Sequence, residues 1–269
     1  MTRISIARLV ASLFVFAALV PSPRAAAQSS SAVTALSEAA AIQDLALASR
    51  ILANEGVLDA YGHVSVRHPT DPNRYLMARS LAPALITTAD ILQFDLNSKP
   101  VTPTEQRLFT ERFIHGSIYQ ARPDVKAIVH SHSPTVIPFG ISDVPLRPVF
   151  HLGAFLYGGV PVFEISEFAS DGEMLVRTPK LGDALAKTLG DKRVALMRGH
   201  GNVVVGPTLQ HAVFRAVYTE VNARLQTVAV GLGGKVRYLS DLEGDNVTNQ
   251  QPGNIERAWA LWKERVKGK

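Results

Sequence analysis

The 269-residue sequence predicts a single α/β domain over 34–269. Three observations lead there. Segments with helical apolar spacing and short segments of strand character are interspersed along the chain. No linker or composition break divides them, and no internal repeat is found. Abundant Ala, Val, Leu and Ile over about 240 residues suffice for a core without cross-links, and the chain has no cysteine. That absence also excludes a thiolate-ligated metal and a cysteine nucleophile.

Residues 1–27 read as a secretory leader. Arg3 and Arg8 form a positive start, Leu9 to Val20 supplies twelve apolar or small residues, and Ala25-Ala26-Ala27 is an A-x-A-type cleavage site. The other reading is a membrane anchor, but the apolar stretch is short for a bilayer. Export, with the periplasm as destination and no stable membrane insertion after cleavage, is the expectation. Three of the 28 basic residues and none of the 23 acidic ones fall in the leader, leaving a net charge of +2. With no cluster of Lys and Arg interleaved with aromatics, nucleic acid is not an expected partner.

Gln28 to about Ala32 reads as a short tail. From Thr34 to Glu55 the positions Leu36, Ala39, Ile42, Leu45, Ala46 and Ile51 keep helical spacing, and Gly56 is a natural stop. Strand character follows at His63–Arg67, Tyr75–Ala78 and Ile91–Leu96, the last before the turn-prone Asn97-Ser98-Lys99-Pro100. Phe109 to Ala121 is amphipathic, with Phe109, Phe113, Ile114 and Ile118 on one side, and Arg122-Pro123 ends it. The apolar run Val125–Val129 then closes on His130-Ser131-His132. Val160–Ile165 predicts another strand, and Thr178-Pro179 an N-cap and first-turn proline for a helix ending at Gly190. Val194–Met197 leads into a loop at His200, Thr208 opens a helix to about Val230, and Ile255–Val266 places Trp259 and Trp262 at i, i+3.

Side chains alternate across a strand, so His130 and His132 project from one face, with Ser131 behind. His200 lies in Arg198-Gly199-His200-Gly201, where the glycines permit a tight turn and close backbone approach. A single buried imidazole is usually a satisfied core histidine. Two in i, i+2 register with a glycine-flanked third point instead to a metal site with an open position. Of the eight histidines, His68 in a polar turn and His211 in a first helical turn read as structural or surface residues. Glu111 and His115 form an i, i+4 pair, either a surface pair worth a few tenths of a kcal/mol or a carboxylate aimed at the metal.

Taken together, several segments resemble the class II aldolase/adducin family over residues 34 to about 240. They are Tyr61-Gly62-His63-Val64-Ser65-Val66-Arg67, Glu111 through His115, Arg122 through His132, and Gly199-His200-Gly201, with the nineteen-residue step from Glu111 to His130 in keeping with the family's order. The resemblance implies a three-layer α/β/α fold around a mainly antiparallel sheet, and a homotetramer with sites between neighbours. It implies His130, His132 and His200 as ligands of a divalent metal, zinc above manganese or iron, and Glu111 as the acid/base that also ligates the empty metal. Phosphosugar aldolases of the family hold phosphate with an Asn, a Thr-Gly and a Ser-Ser. Here those places carry His63, Ser80-Leu81 and Phe109-Thr110, which argues against a phosphorylated substrate. Arg79, His63 and Ser80 could hold a carboxylate instead, the alternative for Arg79 being a structural ion pair.

Arg79 through Pro83, Pro138-Phe139-Gly140 and Phe150-His151-Leu152-Gly153 resemble the family's decarboxylase branch, which acts on hydroxylated aromatic or pyridine dicarboxylates and carboxy-muconic semialdehydes. His151 then becomes a substrate-facing candidate, or a packed structural histidine. The expected activity is a metal-dependent carbon–carbon lyase, a decarboxylase stabilising an enolate on its metal and acting on a small carboxylated molecule. The alternatives are aldol cleavage or dehydration of an unphosphorylated hydroxy-carbonyl compound, and a non-catalytic adducin-like module.

Overall fold

In the computed structural model, which describes residues 37–250 and 252–268, the chain opens on helix α1 (Glu38–Asn54). The predicted leader, the tail after it and the first residues of the predicted helix lie outside the described residues. Ser37 caps α1 by accepting a hydrogen bond from the Ala40 N–H at 3.2 Å. Ala41, Leu45, Ala48, Ile51 and Leu52 form its buried face, the i, i+3, i+4 stripe of a helix lying on a core.

Three antiparallel strands follow, β1 (His63–Arg67), β2 (Arg74–Ala78) and β3 (Ile91–Asp95). Then come α2 (Phe113–Ala121), β4 (Ala127–Ser131), the short α3 (Ile137–Gly140) and β5 (Val162–Phe163). The chain finishes with α4 (Pro179–Leu189), β6 (Val194–Met197), β7 (Gly201–Gly206), α5 (Leu209–Gly231), α6 (Asp241–Asn249) and α7 (Pro252–Arg265). Among the described residues the strands form one seven-stranded sheet in the order β3-β2-β1-β4-β7-β6-β5. Every neighbouring pair is antiparallel except β5 with β6.

Alternation along the strands divides the core in two, giving three layers. Val64, Val66, Val129 and Val204 face α1, α5 and α7. Met77, Ile128, Val203 and Val205 face α2 and α4. On the first side Trp259 and Trp262 are buried at i, i+3, as their spacing predicts. Trp262→Ala removes a large side chain from that layer and should lower stability by about 3–5 kcal/mol in a denaturant titration. A loss below about 1 kcal/mol would show that α7 contributes little to this core.

Several elements depart from the sequence expectation. The strand predicted at Val160–Ile165 shrinks to two residues, because Ile165–Glu167 turns into a 3-10 helix in which the Glu164 side chain accepts the Ser166 N–H. The His200 loop runs directly into β7, and α6, polar and little buried, was not anticipated. Helix α2 starts at Phe113 rather than Phe109. Before it Thr110–Arg112 is a 3-10 turn, with Glu111 at φ −89°, ψ 19°.

Strand β4 is the hub of the sheet. It pairs with β1 so that His63 lies beside His130, and with β7 so that Ser131 lies beside Asn202. No described helix is long and apolar enough to cross a membrane.

Candidate metal centre

Four side chains from three places in the sequence meet at one end of β4. His130 lies in β4, His132 just past its end, His200 in the turn between β6 and β7, and Glu111 in the 3-10 turn before α2. One donor atom from each falls in a group whose members are all within 4.8 Å of one another. The turn that delivers His200 requires glycine after it: a Cβ on Gly201 would overlap the Ser131 carbonyl and lie 3.1 Å from the His132 Cα. On the other flank Gly62, at φ +85°, lets the chain pass the His130 carbonyl, where a Cβ would come to 2.9 Å.

Backbone carbonyls orient two of the imidazoles. His130 Nδ1 is 3.0 Å from the Asn202 carbonyl and His200 Nδ1 is 2.8 Å from the Met174 carbonyl. A carbonyl only accepts, so each Nδ1 carries a proton, and a ring with no second proton turns an Nε2 lone pair inward. His132 Nε2 lies between them, at 3.2 Å from His130 Nε2 and 3.0 Å from His200 Nε2. Glu111 Oε2 is 3.4 Å from the first and 3.3 Å from the second, while its Oε1 accepts the Val176 N–H at 2.9 Å. So many lone pairs aimed into one buried space repel unless a positive charge lies among them. Three imidazole nitrogens and one carboxylate oxygen fit a divalent cation, and the outward N–H···O=C bonds are the support such ligands usually carry.

The electrostatics agree. Burial alone would raise the Glu111 carboxyl, but hydrogen bonds and charge from His130 and His200 hold it below the ordinary carboxylate range. Burial and the neighbouring His130 and His200 lower His132 to about 4. Burial opposes protonation of His200 too, yet the facing Glu111 carboxylate raises it.

Of the two readings of Glu111 and His115, the surface pair does not form. The break in helical geometry at Glu111 turns the carboxylate to His130 and His200, whereas His115 on α2 is fully buried beneath β1. There His115 Nε2 meets His63 Nδ1 at 2.7 Å and His115 Nδ1 meets Ser65 Oγ at 2.6 Å. His63 borders the centre, its ring centroid 5.0 Å from that of His130 and 4.6 Å from that of Phe109. Burial and the adjacent His115 and His130 hold His63 well below its ordinary value; burial and His130 bring His115 to about 3. Tyr61 is exposed at the rim, its ring 6.3 Å from that of His132.

The remaining predicted residues make other contacts. Arg79 donates from Nε to Asp90 Oδ1 at 2.7 Å, the structural ion pair, and Asp90 is itself held by Thr87. The Ser80 N–H goes to the Arg107 carbonyl at 2.7 Å. His151 is exposed, packs edge-on against Phe150, and lines a separate cavity of about 230 Å³ with Arg193, His211 and Arg215. Sequence reasoning missed the main-chain groups of Met174, Val176 and Asn202, which have no side-chain signature. His68, as expected, is structural: its Nδ1 accepts the Asp71 N–H at 3.1 Å.

Comparison with known proteins agrees with this geometry. A family model, the class II aldolase and adducin N-terminal domain, matches residues 43–227. Decarboxylase tropJ of Talaromyces stipitatus is 36% identical over 239 residues, spanning 80% of this chain and 90% of that protein. The 3,4-dihydroxyphthalate decarboxylase of Arthrobacter keyseri is 30% identical over 223 residues, 77% of this chain and 85% of that one. Among solved structures, L-fuculose 1-phosphate aldolase from Glaciozyma antarctica PI12 superposes with a TM-score of 0.70 at 23% identity, covering 86% of this chain and 89% of that chain, a likeness of fold.

Proposed function

The chain belongs to the class II aldolase and adducin family, and from that premise we propose that it is a metal-dependent carbon–carbon lyase, a decarboxylase of a carboxylated hydroxy-aromatic or ring-cleavage molecule. The convergence of His130, His132, His200 and Glu111 carries the reading. The names of its relatives favour carboxyl loss over aldol cleavage. Leu81, and Phe109 packed on His63, stand where phosphosugar aldolases present phosphate-binding groups, which supports an unphosphorylated substrate.

His130, His132 and His200 would hold the cation, zinc in this proposal, with Glu111 as a fourth donor until substrate arrives. A divalent cation there supplies Lewis-acid stabilisation of the negative charge left when carbon dioxide departs. Glu111 Oε1 is tied to the Val176 N–H, so Oε2 is the atom that would take the proton of a substrate hydroxyl and pass it to the carbon the carboxyl leaves. Tyr61 and Phe109 offer ring faces against which an aromatic substrate packs. Export to the periplasm and assembly as a homotetramer belong to the same proposal, supported by the apolar N-terminal segment and the family resemblance.

The test is metal analysis of the purified protein together with carbon dioxide release from 3,4-dihydroxyphthalate. About one metal per chain and release that stops on chelation and returns with zinc are expected. Release untouched by chelation would sink the metal requirement. Two carbonyl fragments from an unphosphorylated hydroxy-carbonyl compound, without carbon dioxide, would mark an aldolase instead.

A further inference from the structure

Behind the metal centre a file of buried polar groups runs from the core to the site. Tyr119 OH is 2.8 Å from Ser65 Oγ, Ser65 Oγ is 2.6 Å from His115 Nδ1, and His115 Nε2 is 2.7 Å from His63 Nδ1. All four residues are buried, His115 and Ser65 completely. The pattern is set by the sequence. Residues 63 and 65 share one face of β1, and residues 115 and 119 lie one turn apart on α2 above it.

Counting protons gives this file a direction. The Tyr119 hydroxyl has no other hydrogen-bond partner among the described residues; its neighbour Arg67 lies over the ring face and donates to main-chain carbonyls. Burial raises the Tyr119 hydroxyl above its ordinary value, so it keeps its proton and must donate it to Ser65. Ser65 then donates to His115 Nδ1, and His115 donates from Nε2 to His63 Nδ1. Each proton finds an acceptor. In the reverse direction the Tyr119 proton would be buried without one, at the usual cost of an unsatisfied donor.

We propose that Tyr119, Ser65 and His115 are positioning residues that fix His63 as its Nε2–H tautomer, so that the site offers one N–H donor to a carboxylate retained on the substrate ring. This rests on the decarboxylase reading. With Nδ1 committed to His115, Nε2 is the opposite ring nitrogen, on an imidazole packed between Phe109 and His130. It makes no hydrogen bond to any described residue and is therefore available to a ligand. A donor on the departing carboxylate would hold back the charge that must move into the ring, favouring the ground state over the transition state. The N–H therefore belongs on an oxygen that stays, and a second carboxylate on the ring supplies one.

Two measurements on the zinc-loaded protein test this. Nitrogen-15 spectra of histidine-labelled protein, with the His63 signals identified by their loss in His63→Gln, should show a protonated Nε2 and an unprotonated Nδ1. Ser65→Ala, which removes the group obliging His115 to accept at Nδ1, should bring in the second His63 tautomer. A protonated Nδ1 in the parent protein, or an unchanged single tautomer in Ser65→Ala, would overturn the relay. In the second arm, 3,4-dihydroxybenzoate should bind about tenfold more tightly than catechol, the scale of one hydrogen bond to a charged group. His63→Leu should bring the two affinities together, and His63→Gln, which keeps an N–H near Nε2, should restore most of the gap. Equal affinities in the parent protein would overturn the assignment. No carbon dioxide release with tautomer and preference intact would fail the activity alone. Release with the preference absent would fail this inference alone.

Discussion

His130→Ala is expected to leave a folded protein that no longer retains metal. His130 is the most enclosed of the four donors, with no exposed surface, and its Nε2 approaches both His132 and Glu111. Its loss removes one of three nitrogen ligands, strands the Asn202 carbonyl that held its Nδ1, and takes one of two imidazoles from Glu111. Deleting a group that merely supports a ligand weakens metal binding about 10–100-fold, so deleting the ligand should exceed a hundredfold. Turnover should fall with metal content. The strand itself survives, because β4 is held to β1 and β7 through its backbone. Metal content by mass spectrometry and the far-ultraviolet spectrum check both halves. Stoichiometric metal at unchanged affinity would remove His130 from the ligand set.

Glu111→Gln separates holding the cation from moving a proton. The amide keeps the size of the carboxyl, and its oxygen can still accept the Val176 N–H that fixes Oε1. The three imidazoles remain, so metal should stay bound. What would disappear is the proton transfer assigned to Oε2, and general acid–base groups of this kind contribute about 10²–10⁴-fold to turnover. A fall of that size at nearly full metal occupancy is the expected result, read from single-turnover carbon dioxide release beside metal analysis. Turnover equal to the parent's would exclude Glu111 from proton transfer.

The legible parts of this fold are those where a local rule and the tertiary packing agree. β1 has the bounds its residues predict, β6 covers the Val194–Met197 run before the His200 loop, and Thr178 and Thr208 cap α4 and α5 as their positions suggest. Elements were lost where the cue was short or polar. β7 follows His200 with no intervening turn residues, so its Val203-Val204-Val205 run was absorbed into the loop. The predicted strand around Val162 keeps only two residues as an edge. α6 has little apolar surface, although the capping box of Ser240 and Glu243 was there to be read.

At the site, histidine spacing and the glycines around His200 point to three of the donors and the family resemblance to Glu111, and the structure gathers all four. Of the two readings of Glu111 beside His115, the surface pair fails because a 3-10 turn interrupts the regular helix that i, i+4 spacing presumes, and the carboxylate faces the histidines instead. Nothing in a one-dimensional pattern could indicate that Met174, Val176 and Asn202 act through their main chain.

The hub position of β4 also constrains how the molecule comes into being. His130 meets the Asn202 carbonyl across 72 positions of sequence, so the centre depends on contacts that close late and against chain entropy. A polypeptide still emerging from the ribosome cannot present these donors together until β7 has been made and has zipped onto β4. On the metal reading, a cation would therefore find its full set of donors only in an already paired sheet, as a late guest of the native state rather than a seed for it.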